Sequence, residues 1–115
     1  MEIEKEKILK MTDHISECLP GGFFVYHADE AEELITFNSE VMKIFGCDTA
    51  EEFRTLTGNS FKGMVHPDDL ALVERNISSQ IQKENDTDYI EYRIICRDGS
   101  EKYVRDYGRF VHTKE

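Results

Sequence analysis

The sequence has no tryptophan, only two prolines and three cysteines, and 14 basic residues against 24 acidic ones. The shortage of base bears on partners: a formal net charge of -10 repels phosphate backbones, which proteins contact through Lys and Arg. Direct nucleic-acid binding is therefore not expected. No run approaches the roughly 20 apolar residues of a membrane helix. Residues 1–20 are acidic and amphipathic, where an export signal has a basic start and an apolar block. Neither direct membrane insertion nor export is expected. Cys18, Cys47 and Cys96 are odd in number and lack Cys-x-x-Cys or Cys/His metal spacing. They read as buried free thiols of a reducing compartment, with the cytoplasm as the expected location. Pro20 and Pro67 fall at element boundaries, and no repeat or low-complexity stretch interrupts the chain.

What is present suffices for one domain. Of 115 residues, 39 % are hydrophobic and 33 % charged, and a chain of this size buries roughly two-thirds of the surface it exposes when unfolded. Ile8, Met11, Ile15 and Cys18 recur at spacings of three and four, predicting an amphipathic helix over residues 1–19 that Pro20-Gly21-Gly22 ends. Phe23 to His27 and Leu34 to Phe37, separated by a polar turn, predict a β-hairpin. Asn38-Ser39 caps a short helix closed by Gly46, and Thr49-Ala50-Glu51-Glu52 has the form of a capping box for a second. His66-Pro67-Asp68-Asp69 opens a longer helix whose Leu70, Val73, Ile77 and Ile81 share one face. The period then changes to two: Ile90, Tyr92, Ile94 and Cys96 alternate with Tyr89, Glu91, Arg93, Ile95 and Arg97. Asp98-Gly99 signals a two-residue hairpin turn, and Tyr103 to His112 forms the return strand. The outer face of this ribbon carries Tyr89, Ile95, Tyr103, Tyr107 and Val111, which predicts a covering helix or partner subunit.

This order of elements is an α+β pattern, with an antiparallel sheet, short helices and one longer helix packed on one face. From about Leu19 to the C-terminus it resembles a PAS domain, the small sensor module of bacterial signalling proteins. The resemblance is carried by Gly22-Phe23-Phe24-Val25-Tyr26, by Asn38 opening a helix that ends at Phe45-Gly46, and by Thr49-Ala50-Glu51-Glu52-Phe53. It continues in Phe61 through Val65-His66-Pro67-Asp68-Asp69, and in Glu91-Tyr92-Arg93 leading to Arg97-Asp98-Gly99-Ser100. It implies residues 1–19 as a helix preceding a sensor domain at 20–115. Family members have a fifth strand between the first strand and the second arm of the long hairpin, and the residues up to Glu115 leave none for it. The expectation is a fragment whose gap is closed by direct pairing of those two strands or by an exchanged segment.

The residues that invite a chemical reading also have plainer ones. His66 precedes a helix, where it serves as a ligand or base or simply ends the loop; it has no orienting carboxylate and nucleophile in sequence. Asp68 and Asp69, adjacent on a helix, do not converge on one metal and suit the positive end of the dipole. His27 stands near Asp29 and Glu30, a combination that also reads as a solvated turn, and His14 and His112 read as surface residues. The eight acids between Asp29 and Glu52 lack calcium-loop spacing. Asp106 falls on the face of Val104 and Phe110, where burial would raise its pKa towards the range of a general base.

The resemblance also implies which cofactors to look for. The flavin-adduct branch carries Asn-Cys-Arg-Phe-Leu before its long helix and this sequence does not, so a flavin adduct is disfavoured. Haem is disfavoured because Leu70 to Gln82 contains no histidine. The inward-pointing Tyr26, Phe37, Met42, Phe45, Phe61, Ile77 and Ile94 are candidates for core or for the wall of a small-molecule cavity. The reading is a non-catalytic sensor that forms a homodimer through Ile8, Met11, Ile15 and Cys18. It would regulate an effector domain of a parent protein, such as a diguanylate cyclase or histidine kinase. A small α+β enzyme using His66 or Asp106 as base, or a ligand-free interaction scaffold, are the alternatives.

Overall fold

The computed structural model describes residues 21–83 and 86–111. The expected N-terminal helix with Ile8, Met11, Ile15 and Cys18 lies outside them, as do His14 and His112. No helix among the described residues is long and apolar enough to cross a membrane.

Strands β1 (Phe24–Tyr26) and β2 (Leu34–Phe37) form the predicted antiparallel hairpin, with Phe24 opposite Phe37 and a bulge at Val25/Tyr26. Asp29 is consumed in closing the turn, since its Oδ1 accepts from the Glu32 amide at 2.9 Å. Asn38 then performs two tasks. Its Oδ1 accepts from the Val41 amide, capping α1 (Ser39–Ile44), and also from the Phe23 amide at 2.9 Å, tying the entry of β1 to that cap. Helix α2 (Ala50–Thr57) carries the capping box in full, Thr49 and Glu52 exchanging side-chain-to-backbone bonds. It ends at Gly58 in the left-handed region (φ 64°).

Helix α3 (Leu70–Lys83) starts three residues later than Pro67 suggests. Pro67 to Asp69 instead make a turn, with the Asp69 amide bonded to the His66 carbonyl and the Asp69 carbonyl receiving the first helical bond, from Val73. The predicted face holds: Val73 is buried and Leu70 and Ile77 pack against the core.

Strands β3 (Thr87–Ile95) and β4 (Glu101–Arg109) pair over nine residues each, two residues earlier than alternation alone places them. Their tip is not the two-residue turn that Asp98-Gly99 signals. The Cys96 amide bonds the Ser100 carbonyl, leaving a three-residue loop with Gly99 at φ 86°. The tip is docked on the end of α1, where the Arg97 amide reaches the Phe45 carbonyl at 2.8 Å and Cys96 Sγ faces the Ile44 carbonyl. That attachment sets the loop and shifts the register of the arms. The face assignment of both strands is as predicted, with Ile90, Tyr92, Ile94 and Cys96 buried.

The hydrogen-bonded ladders are two separate pairs, β1 with β2 and β3 with β4. Direct pairing of β1 with β4 is therefore not formed. The two ribbons meet through side chains instead: Phe61 stacks on Tyr26 at 4.6 Å between ring centres and meets Tyr92 edge-on at 6.0 Å. At the other end of the core Phe53, 0 % exposed, lies 4.6 Å from Phe37 and 5.1 Å from Phe45. Truncating it removes a ring that neighbours cannot replace. F53A is expected to cost about 3–5 kcal/mol in urea unfolding, against under about 1.5 kcal/mol for F53L.

Candidate functional site

The long connection between α2 and α3 places most of the polar chemistry, because one outer edge of each ribbon, that of β2 and that of β3, turns to it for hydrogen bonds. On one side the Leu34 amide bonds the Asn59 carbonyl and the Phe61 amide bonds the Glu32 carbonyl, both at 2.9 Å. On the other, the His66 amide donates to the Arg93 carbonyl at 2.8 Å and Asp69 Oδ2 accepts from the Arg93 amide at 2.9 Å. Arg93 is thus bonded as it would be by another strand. Gln80 of α3 repeats the device four residues away: its Oε1 accepts from the Tyr89 amide at 2.7 Å and its Nε2 donates to the Tyr89 carbonyl at 2.9 Å. A side-chain amide has the donor and acceptor of a peptide group, so it can stand in for one.

Asp69 goes further, gripping the Arg93 guanidinium through Nε at 3.1 Å and Nη2 at 2.7 Å. This bidentate pair holds the Asp69 carboxyl down at about 2. His66 is buried beside it. The Asp68 amide lies 3.1 Å from Nδ1, which must accept, so the ring proton sits on Nε2 and is directed to Glu101 Oε2 at 3.2 Å. Both ring nitrogens are occupied in structural bonds. Asp68 itself is exposed, so the two adjacent aspartates diverge as their spacing requires.

The second polar group on the sheet lies on its inner face, half-buried. Asp106 points inward from β4 and its Oδ2 accepts from the Tyr92 hydroxyl at 2.7 Å. Burial pushes the carboxyl up to about 6, opposed by the Tyr92 bond and reinforced by Asp88. Asp88 sits over Gly108, where an added Cβ would come within 2.8 Å of its Oδ1. The structure does not bring His66 and Asp106 together: five residues, about 17 Å of strand, separate Asp106 from the Glu101 that His66 touches. The cavity candidates gather in one cluster, Phe45, Phe61 and Ile94 buried within it and Tyr26, Phe37, Met42 and Ile77 packed against it. Cys47 and Cys96 are buried free thiols. His27 is half-buried at the end of β1, its amide bonded to the Glu33 carbonyl. On the outer face Tyr103, Tyr107 and Val111 are 77 %, 79 % and 62 % exposed.

Sequence reasoning missed Gln80 and the Asp69–Arg93 grip. The first left a trace, a polar residue three positions after Ile77 on the flank of the apolar stripe; the second joins residues 24 apart and left none. Because Asp69 in the folded chain titrates at about 2, below its ordinary 3.8, its stabilisation is present above pH 4 and is lost as pH falls through 2. D69N is expected to lower the thermal midpoint by several degrees at pH 7, and the gap from the parent chain should close as the pH is taken from 4 to 2.

The sequence model of the PAS fold family matches residues 34–115, which take in β2, the three helices, both arms of the β3–β4 ribbon, and the His66, Asp69, Arg93 and Asp106 positions. The chain is similar to a solved structure, the PAS domain of a GGDEF family protein from Chromobacterium violaceum, at 26 % identity over 82 % of each chain and a TM-score of 0.36. No curated protein matches it. The chain belongs to the PAS fold family, whose domains are sensory signalling modules.

Proposed function

We propose that this chain is a non-catalytic sensor and dimerisation module that biases an effector domain of a parent signalling protein, of the diguanylate cyclase or histidine kinase kind. Family membership carries the reading, and two features support it. The two candidate bases both serve structural hydrogen bonds: His66 through both ring nitrogens and Asp106 as acceptor from the Tyr92 hydroxyl. The outer face of β3–β4 meanwhile exposes Tyr103, Tyr107 and Val111, a surface suited to contact. The mechanism is population shift, in which a small molecule or a change in packing favours one arrangement of the sheet and what lies on it.

Dimerisation is assigned to the stripe Ile8, Met11, Ile15 and Cys18 of the N-terminal segment. An isolated amphipathic helix of that length is marginal in water and needs a partner surface. A combined M11D and I15D substitution is expected to halve the mass measured by analytical ultracentrifugation; an unchanged sedimentation coefficient would remove the stripe from the interface. A ligand-free interaction scaffold is the second reading, favoured by the Tyr26, Phe61 and Tyr92 rings that occupy the inner face. Native mass spectrometry of the protein from its own host separates the two: a retained small molecule supports the sensor, and the bare chain mass supports the scaffold.

A further inference from the structure

Of the large apolar side chains that the described residues leave exposed, Ile95, Tyr103 and Tyr107 share the outer face of the β3–β4 ribbon and Val111 follows just beyond β4. Arg105 and Arg109 are exposed on the same face, and neither is in an ion pair among the described residues. Arg105 has Glu91 opposite it in the register, so a counter-charge stands across the ribbon. Arg109 has Thr87 opposite it, which supplies none. On a chain of net charge -10, this face fits an apolar partner that carries an acid at one end.

The chain holds such a partner in the residues before Gly21. Ile8, Met11, Ile15 and Cys18 repeat at spacings of three and four, and the same spacing carried four residues back falls on Glu4. On a helix the span from Glu4 to Cys18 is about 21 Å, and along β4 the span from Tyr103 to Arg109 is about 20 Å. With Cys18 placed at Tyr103, Met11 and Ile8 fall on either side of Tyr107 and Glu4 meets Arg109. The segment leaves its domain at the matching end of a ribbon. The Gly21 carbonyl accepts from Asn38 Nδ2 at 3.1 Å, and Gly22 lies against Ile44, whose carbonyl takes Lys102 Nζ at 3.0 Å and faces Cys96 Sγ at the tip of β3–β4.

We propose that the outer face of β3–β4 seats residues 4–18 of a second copy, as a helix laid along β4 with Cys18 at Tyr103 and Glu4 at Arg109, the exchange being reciprocal. The inference rests on the dimer reading of the stripe and names the surface that the stripe contacts. The stripe is one apolar face, so a dimer made through it covers the sheet only where each segment crosses to the other copy. Exchange of a terminal segment is a low-cost route to a dimer, and its symmetry gives two identical seats.

The test places a thiol on the seat. Full-length Y103C is treated with diamide, which takes up the two thiol hydrogens as a disulfide forms, and is run on a non-reducing gel. A covalent dimer joined through Cys18 is expected, absent from the parent chain and from Y103C combined with C18S; Cys47 and Cys96 are buried and do not compete. A disulfide from Cys18 within one chain overturns the exchange, as does a covalent dimer that C18S leaves unchanged, or no disulfide at all. Should Y103C fold poorly, exchange of charge carries the proposal. In sedimentation equilibrium E4R and R109E are each expected to weaken the dimer at least about tenfold, since the contact occurs twice, and the two together to restore it. Single reversals without effect, or a double variant no tighter than either, reject the seat. M11D with I15D is the independent readout: a dimer that it abolishes and that E4R and R109E leave intact keeps the dimer reading and loses the seat alone.

Discussion

Everything in this fold hangs on the connection between α2 and α3, because it supplies hydrogen-bond partners to the free edges of two strands that never touch each other. Residues 59–61 bond β2 and residues 66–69 bond β3, so one segment fixes where both ribbons lie. A strand edge left bare invites pairing with another chain, and here the outer edges of β2 and β3 are bonded from within. Gly63 lies in the middle of this segment, and a side chain there would overlap the Thr57 carbonyl, so the tight turn between the two edge-binding ends depends on that residue being glycine.

The edge and the interior handle charge in opposite ways. At the edge, Asp69 meets a guanidinium with matching fork geometry, half in solvent, and the pair stabilises both charges. On the inner face, half-buried Asp106 meets a neutral hydroxyl and another carboxylate, and desolvation with the Asp88 charge shifts it towards its protonated form against the Tyr92 bond. The contrast assigns different work to the two sites: the first fastens β3 to the connection ahead of the long helix at any pH above 4, and the second joins β3 to β4 on the inner face through the Tyr92 hydroxyl.

Much of this was legible in the sequence, for physical reasons that also mark where legibility stops. Ile90, Tyr92 and Ile94 alternate because a half-buried strand must, and Thr49 with Glu52 announces its capping box within four residues. Pro67 points to an earlier start of α3, but its local preference loses to a distant one, since Asp69 is drawn out of the first helical turn to Arg93. The hairpin tip departs from its local signal likewise, because Asp98-Gly99 says what two residues prefer and not that Arg97 must reach Phe45. The inward position of Asp106 was readable from alternation, whereas its Tyr92 partner and the carboxylates around Tyr26 come together only through the fold.

Strand β4 joins the interior to the surface. Along it Val104, Asp106 and Gly108 face inward while Tyr103, Arg105 and Tyr107 face out, each one peptide from its neighbour. Side chains on opposite faces of a strand share a backbone with little freedom to absorb a displacement, about 3.4 Å per residue and two dihedral angles. Asp106 on the inner face is therefore the chain neighbour of both Arg105 and Tyr107 on the exposed side. Tyr107 in turn lies 4.6 Å from Tyr89, whose backbone Gln80 holds to α3. Tyr107 is thus joined to Asp106 along β4, and its ring neighbour Tyr89 is joined to the long helix through Gln80. A partner seated on that face would contact both links at once.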